Sequence, residues 1–189
     1  MGVEDLTLEI EAGETFGFLG PNGAGKTTTI RLLLDLIRPT RGESFVLGSP
    51  SADPTVRARI GYLPGELFLD GRMTGNQTLA FLSSLQGSRP TSSAKRGEFC
   101  ERLGLSGIDL NRKVREYSRG MKQKLGLACV LVHQPKALIL DEPTNGVDPV
   151  SRQEFWDILV EMKRNGMTIL VSTAYLDEGE KCDQLILMH

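Results

Sequence analysis

The sequence is poor in cysteine and histidine and has no long apolar run. Its three cysteines, Cys100, Cys129 and Cys182, are far apart and form no CxxC pair. That excludes a paired-thiol metal or redox motif and points to free thiols in a reducing compartment. No run of about eighteen apolar residues occurs, and the N-terminus lacks a basic-then-apolar leader, so the chain is expected neither to span a membrane nor to be exported. Histidine is scarce, with His133 ahead of a turn and His189 at the end, and both read as surface residues. A formal net charge of −2 leaves no bulk basicity for nucleic acid, although a local patch stays open. There is no internal repeat and no low-complexity tract. What remains is 189 residues with 40% hydrophobic content, enough for one core, and one domain with an insert fits better than two.

The most informative stretch is Gly20-Pro-Asn-Gly-Ala-Gly-Lys-Thr-Thr28, which contains an unbroken GxxxxGK(S/T). Glycines at 20, 23 and 25 let the backbone close around an anion with its N–H groups turned inward. Lys26 adds a point charge for outer phosphates, and the Thr27 hydroxyl can take a place on Mg²⁺. The context agrees: Thr15 to Leu19 reads as a buried strand and Thr27 to Leu36 as a helix whose N-terminus points at the phosphates. Asn22, Gly23, Ala24, Gly25, Lys26, Thr27 and Thr28 are therefore the candidate nucleotide contacts, and a nucleoside triphosphate with Mg²⁺ the expected ligand.

Along the chain, Val3 to Ile10 alternates like a strand, Ser44 to Leu47 reads as a short strand, and Pro54 to Arg59 as a brief helix leading into strand Ile60 to Leu63. From about Gly65 to Gly120 the pattern changes to amphipathic helical pieces, with stripes at Leu79-Ala-Phe-Leu82-x-x-Leu85 and Phe99-x-x-x-Leu103, and a loop over Ser88 to Ser93. This stretch reads as an inserted helical subdomain.

Ala137-Leu-Ile-Leu-Asp141-Glu142 is an apolar run ending in adjacent carboxylates. It reads as a central parallel strand delivering both acids to its C-terminal edge, where ligands of open α/β sheets bind. Asp141 is then placed to hold Mg²⁺, directly or through water, and Glu142 to orient or deprotonate a water. Ser118 caps a helical run through Val132, and free N–H groups there could grip a second anion, though such caps also occur on helices that bind nothing.

In this order the blocks resemble the nucleotide-binding domain of ATP-binding cassette (ABC) transporters. Gly20 to Thr28 is similar to the family's Walker A motif and Leu138 to Glu142 to Walker B. Tyr117 to Met121 resembles a variant of its LSGGQ signature, and Asn145 to Asp148 its D-loop. LPGE after a GY pair, YSRGMKQKLGLA and STAYLDE look most like bacterial drug exporter ATPases. The resemblance implies an α/β P-loop NTPase core with a mostly parallel sheet and an N-terminal antiparallel β part. It implies one domain over residues 1–189, truncated at both ends, with the helical insert at 66–120. It also implies a head-to-tail dimer, homomeric or heteromeric, in which each ATP lies between the loop and acids of one subunit and Ser118 and Gly120 of the other. The expected activity is ATP hydrolysis with Glu142 as catalytic base and Thr27 and Asp141 as metal ligands. The expected partner is a transmembrane permease contacting the segment near Leu63 to Met73, and the expected place is the cytoplasmic face of the cell membrane, without nucleic acid. A non-transport ABC ATPase acting on nucleic acid or the ribosome, and a regulatory module that binds ATP without turnover, remain alternatives.

Four departures bear on that expectation. Gly65 stands where the family has a glutamine that senses Mg²⁺ and water, with Glu66 either substituting or merely solvated. Ala174 stands where the family has a histidine on the γ-phosphate. Losing such a donor costs about two to three orders of magnitude in rate, and with Gly65 and Ala174 at these two places hydrolysis is expected to be slow. Arg119 replaces a signature glycine, either adding a cation near the partner's phosphates or facing solvent. The fourth departure is the expected truncation at both ends: the family's adenine-stacking aromatic lies further upstream of the loop than residue 1, nothing aromatic precedes Phe16, and a platform worth about 1–3 kcal/mol is expected to be lost with it.

Overall fold

Apolar runs bounded by turn residues become strands wherever a neighbouring strand can complete the ladder. The computed structural model describes residues 3–85 and 93–189. Of the loop expected over Ser88 to Ser93, only Ser93 falls within them, where it opens a helix. In chain order the elements are β1 (Thr15–Leu19), α1 (Lys26–Leu33), β2 (Phe45–Val46), β3 (Ser49–Pro50), α2 (Pro54–Arg57), β4 (Ile60–Leu63), α3 (Gly75–Leu85) and α4 (Ser93–Arg102). They continue with α5 (Gly107–Asn111), α6 (Arg119–Leu131), β5 (Ala137–Asp141), α7 (Pro149–Arg164), β6 (Thr168–Thr173), α8 (Leu176–Gly179) and β7 (Gln184–Leu187).

Five strands form one sheet in the order β4-β5-β6-β1-β7, and all its pairings are parallel. Every residue of β1 and β5 is buried, which is why both read as continuous apolar runs and not as alternating ones. Phe16 and Phe18 project to the same face of β1 with ring centroids 5.6 Å apart, edge to face, and Ile30 and Leu34 pack in the same cluster. Helix α1 stops at Leu33, short of the expected Leu36, because Asp35 adopts a left-handed φ of 53°.

The antiparallel part is smaller than expected. β2 and β3 pair over two residues each, and Leu47 and Gly48, both at positive φ, make the turn between them, cutting the expected strand short of Leu47. Residues 3–10 form no strand. Val3, Leu8 and Ile10 instead lie half-buried against the Phe16–Ile30 cluster, and Asp5 breaks the extension with φ of 52°. The alternation there reports burial of every second residue without ladder hydrogen bonds. Helix α2 also ends early, at Arg57, after a start set by the Asp53 carboxylate on the Thr55 N–H and proline at the first turn.

The described chain separates into two compact units. One holds Met1–Gly65, Pro135–Pro143 and Val160–His189, and the other Glu66–Gln134 and Thr144–Leu159. The first carries the whole sheet. The second is helical, with Leu105, Leu110, Leu125, Leu127, Phe155 and Trp156 among its buried side chains. Of the apolar stripe in α3, Leu79 is buried while Phe81 and Leu85 are exposed. Tyr117 acts as a pillar in this unit: its ring is buried and its hydroxyl donates to the Asp109 carbonyl at 2.6 Å. Burial pushes that hydroxyl up to about 12. A Cβ at Gly75 would lie 2.4 Å from the same oxygen, which explains the glycine that opens α3. All three cysteines are free, and burial pushes the thiols of Cys129 and Cys182 up to about 12. No helix among the described residues is long and apolar enough to cross a membrane.

Candidate functional site

The loop after β1 is shaped by three glycines with different duties. Gly23 and Gly25 adopt φ of 89° and 96°, the left-handed region in which a side chain is strained. Gly20 is needed for a close approach, since a Cβ there would lie 2.3 Å from the Met188 carbonyl at the end of β7. Gly25 caps α1 without a side chain, so no side-chain acceptor consumes the N–H groups of the first turn. The Gly20 N–H donates to the Thr173 carbonyl at 3.2 Å, tying the loop's entry to the end of β6.

Lys26 is buried at 3% exposure, and its ammonium meets three acceptors. It donates to the Gly20 and Pro21 carbonyls at 2.6 and 2.9 Å and pairs with Glu142 Oε1 at 3.1 Å. Those three contacts match the donor capacity of an ammonium. Thr29 is the hydroxyl of this helix that turns back on the backbone, to Gly25 O at 3.1 Å, whereas Thr27 and Thr28 stay half-buried outside the described hydrogen bonds. Asn22 and Gly23 are exposed, and Ala24 packs beside the core cluster.

Asp141 and Glu142 stand at the carboxyl end of β5, the strand on which α1 packs. Asp141 is 5% exposed and its Oδ1 accepts the Ser172 hydroxyl at 2.5 Å. Glu142 turns off the strand with φ of 44°, uncommon for a residue with a side chain, and its N–H reaches both the carbonyl and the hydroxyl of Ser172 at 3.0 Å. That left-handed turn is what lets neighbouring acids take different directions. Tyr62, on adjacent β4, has its hydroxyl pushed above its ordinary value by burial first and then by the negative charge of Asp141. Among the described residues no group of three His, Cys, Asp or Glu side chains could hold a metal alone. The available donors, the Asp141 carboxylate and the Thr27 hydroxyl, are hard oxygens that suit Mg²⁺ shared with phosphate oxygens and water.

Beyond β6, Ala174 is exposed on a short loop. The Thr173 hydroxyl holds that loop, accepting the Tyr175 N–H at 3.0 Å and donating to Glu178 Oε2 at 2.5 Å, with Glu178 fully buried. Gly65 ends the first segment of the sheet-bearing unit, and a Cβ on it would lie 2.9 Å from the Asp141 carbonyl. Sequence reasoning missed Ser172, Thr173 and Glu178. The string STAYLDE contains all three, but only the Asp141–Ser172 register of β5 and β6 reveals the first of these.

Ser118 and Gly120 lie in the second unit, so the structure does not gather them with the loop and acids as one described site. Ser118 caps α6 by accepting the Met121 N–H at 3.2 Å. Gly120 is buried against its own unit: a Cβ would sit 2.7 Å from the Ser151 Cβ and 3.4 Å from Val147 Cγ1. The glycine is therefore demanded by packing of α6 on the start of α7, whatever its N–H does. Arg119 is exposed, and its guanidinium lies across Gly146, where a Cβ would come within 2.9 Å of Nη1. It thus does more than face solvent. His133 is half-buried, not a surface residue as expected, in the turn after α6.

A parallel sheet, a glycine loop opening a helix at its carboxyl edge, and an acid pair at the same edge two strands away define an α/β P-loop NTPase fold. Within that class the chain belongs to the ABC transporter family, whose profile matches residues 3–145. It is similar to the probable multidrug ABC transporter ATP-binding protein YbhF of Escherichia coli K12, at 40% identity over 98% of this chain and 32% of that protein. It is also similar to the daunorubicin/doxorubicin resistance ATP-binding protein DrrA of Streptomyces peucetius, at 41% identity over 95% of this chain and 55% of that protein. A solved ATP-binding subunit of an ABC transporter superposes with a TM-score of 0.84 at 30% identity, covering 99% of this chain and 79% of that one. The chain thus spans between about a third and a little over half the length of these two curated relatives.

Proposed function

We propose that this chain is the ATP-binding part of an ABC exporter, coupling ATP binding and hydrolysis to export by a separate membrane subunit. The observation that carries the reading is the junction at Lys26, where the phosphate loop, its lysine and the Glu142 carboxylate meet within 3.1 Å. The names of the relatives, drug-resistance and multidrug ATP-binding proteins, support export as the task.

In this reading the N–H groups of Gly23 to Thr28 wrap the phosphates, and Asn22 and Ala24 line the loop. Thr27 and Asp141 would hold Mg²⁺, which when bound neutralises charge on the phosphate oxygens. Glu142 now neutralises Lys26. An arriving phosphate gives the ammonium a second anion, and Glu142 is released to accept a proton from water. Ser118 and Gly120 would complete the site of a second ATP-binding domain, of the same or another kind, through the free N–H groups at the start of α6. Residues 1–189 then act as one ABC domain with 66–120 as its helical insert. Phe68, 88% exposed in the segment from 63 to 73, suits contact with a permease at the cytoplasmic face of the membrane. A net charge of −2 gives no support to nucleic acid as partner. Ala174 offers no donor to the γ-phosphate, and hydrolysis is slow for that reason.

The test is Glu142→Gln in the full-length protein. It is expected to form a dimer that appears with millimolar ATP and disappears on its removal, read by light scattering. A mutant that stays monomeric at that concentration overturns the shared-site mechanism.

A further inference from the structure

The side chain most tightly tied to the acid pair is a fully buried serine on the neighbouring strand that the reading above leaves without a role. Ser172 is 0% exposed. Its hydroxyl donates to Asp141 Oδ1 at 2.5 Å and accepts the Glu142 N–H at 3.0 Å, while its carbonyl accepts the same N–H at 3.0 Å. A serine hydroxyl has a single proton to give. Giving it to Asp141 leaves the lone pairs for Glu142, so the two acids are wired through one oxygen.

We propose that Ser172 is the positioning residue of the acid pair. It occupies one oxygen of Asp141, so that the carboxylate turns the other toward a cation. It also holds Glu142 in the left-handed turn, φ 44°, from which the side chain reaches Lys26. β5 and β6 pair Asp141 with Ser172, which places the hydroxyl at the last rung of the ladder, where the next residue leaves it. Without the hydroxyl, Asp141 Oδ1 loses the Ser172 donor, and of the two contacts between the Glu142 N–H and Ser172 the carbonyl one alone holds the left-handed turn. Removal of such outer partners typically weakens metal affinity or activity about 10–100-fold.

This inference rests on the ATP-binding reading, and its experiment separates the two. Binding of a fluorescent ATP analogue is measured in EDTA and across a Mg²⁺ titration for the wild type, Ser172→Ala and Ser172→Thr, with melting of the nucleotide-free proteins as a folding control. The expected result is unchanged affinity in EDTA for Ser172→Ala, a half-saturating Mg²⁺ concentration raised about 10–100-fold, and recovery in Ser172→Thr. If Thr does not fit the buried position, Ser172→Cys, a weaker donor, is expected to fall between serine and alanine. An Mg²⁺ titration of Ser172→Ala that overlays the wild type overturns the positioning role. So does an equal loss in EDTA and in Mg²⁺, which is what a merely structural serine would give. A wild type that binds with Mg²⁺ yet releases no phosphate defeats the hydrolytic reading and leaves this one standing, whereas a wild type that binds no nucleotide ends both.

Discussion

Restoring two of the side chains by which this chain departs from its family should have opposite outcomes, because the structure leaves space at one position and none at the other. At Gly65 a Cβ would come within 2.9 Å of the Asp141 carbonyl, a backbone atom that cannot rotate away as the end of a side chain would. Gly65→Gln must therefore move either its own backbone or the end of β5, where Asp141 and Glu142 begin. Overpacking of this kind costs about 1–3 kcal/mol. For a chain of this size each kcal/mol moves the midpoint by about 2–4 °C, so a fall of roughly 2–12 °C is expected. Displacing Asp141 also disturbs the oxygen that meets Ser172 at 2.5 Å, so phosphate release should drop and not rise.

Ala174 differs. It is exposed, and its loop is already pinned by Thr173 through the Tyr175 N–H and the buried Glu178 carboxylate. Ala174→His adds a donor to a preformed loop, and the expected outcome is a melting midpoint within about 2 °C of the wild type, as for other exposed substitutions. Phosphate release should rise by at least about 10-fold, a fraction of the 10²–10³ that a lost donor costs elsewhere. Both variants are measured by differential scanning calorimetry and by phosphate release at saturating Mg-ATP. A Gly65→Gln protein that melts with the wild type and hydrolyses faster would refute the steric argument. An Ala174→His protein with unchanged turnover would show that the missing histidine is not what limits the rate.

Gly120→Ala should lose about 1–3 kcal/mol by driving a methyl into Ser151, 2.7 Å away. Adding Ser151→Gly should recover part of it, with a coupling of at least about 0.5 kcal/mol in urea melts, and strict additivity would mean that the two do not touch. Asp183 receives the Lys163 ammonium and the Thr15 N–H, the latter at 2.8 Å, and these hold its carboxyl below the usual carboxylate range. Because the folded value is the lower one, this stabilisation is complete above the unfolded pKa of about 3.9 and fades as pH falls through the folded value. Asp183→Asn is therefore expected to be less stable at pH 7 by up to about 1 kcal/mol, the size of a solvent-exposed pair, with the gap closing as pH falls below the unfolded pKa and through the lowered folded one. A gap that stays constant from neutral to acid pH, read from urea midpoints, would contradict that assignment.

How much of this was legible in the sequence depended on whether a residue's reason was local. Strands β4 and β5 and the start of α1 follow from apolar runs, turn residues and the glycine spacing of the loop, all of which act within a few residues. Val3 to Ile10 shows the limit of that logic, because alternation records burial, while strandhood needs a partner with free N–H and C=O groups. Ser172 shows it at the site, since its role is created by a rung between strands thirty-one residues apart.

The glycines carry the point furthest. Gly23 and Gly25 are glycine for φ, which a motif encodes. Gly20, Gly65 and Gly120 are glycine because distant backbone or side-chain atoms stand where a Cβ would be. A family pattern reads Gly120 as a phosphate contact and Gly65 as a lost sensor. Packing gives each a prior reason to lack a side chain, so neither residue's identity is by itself evidence about catalysis. That weight falls on Ala174, the departure that no steric constraint in the described structure accounts for.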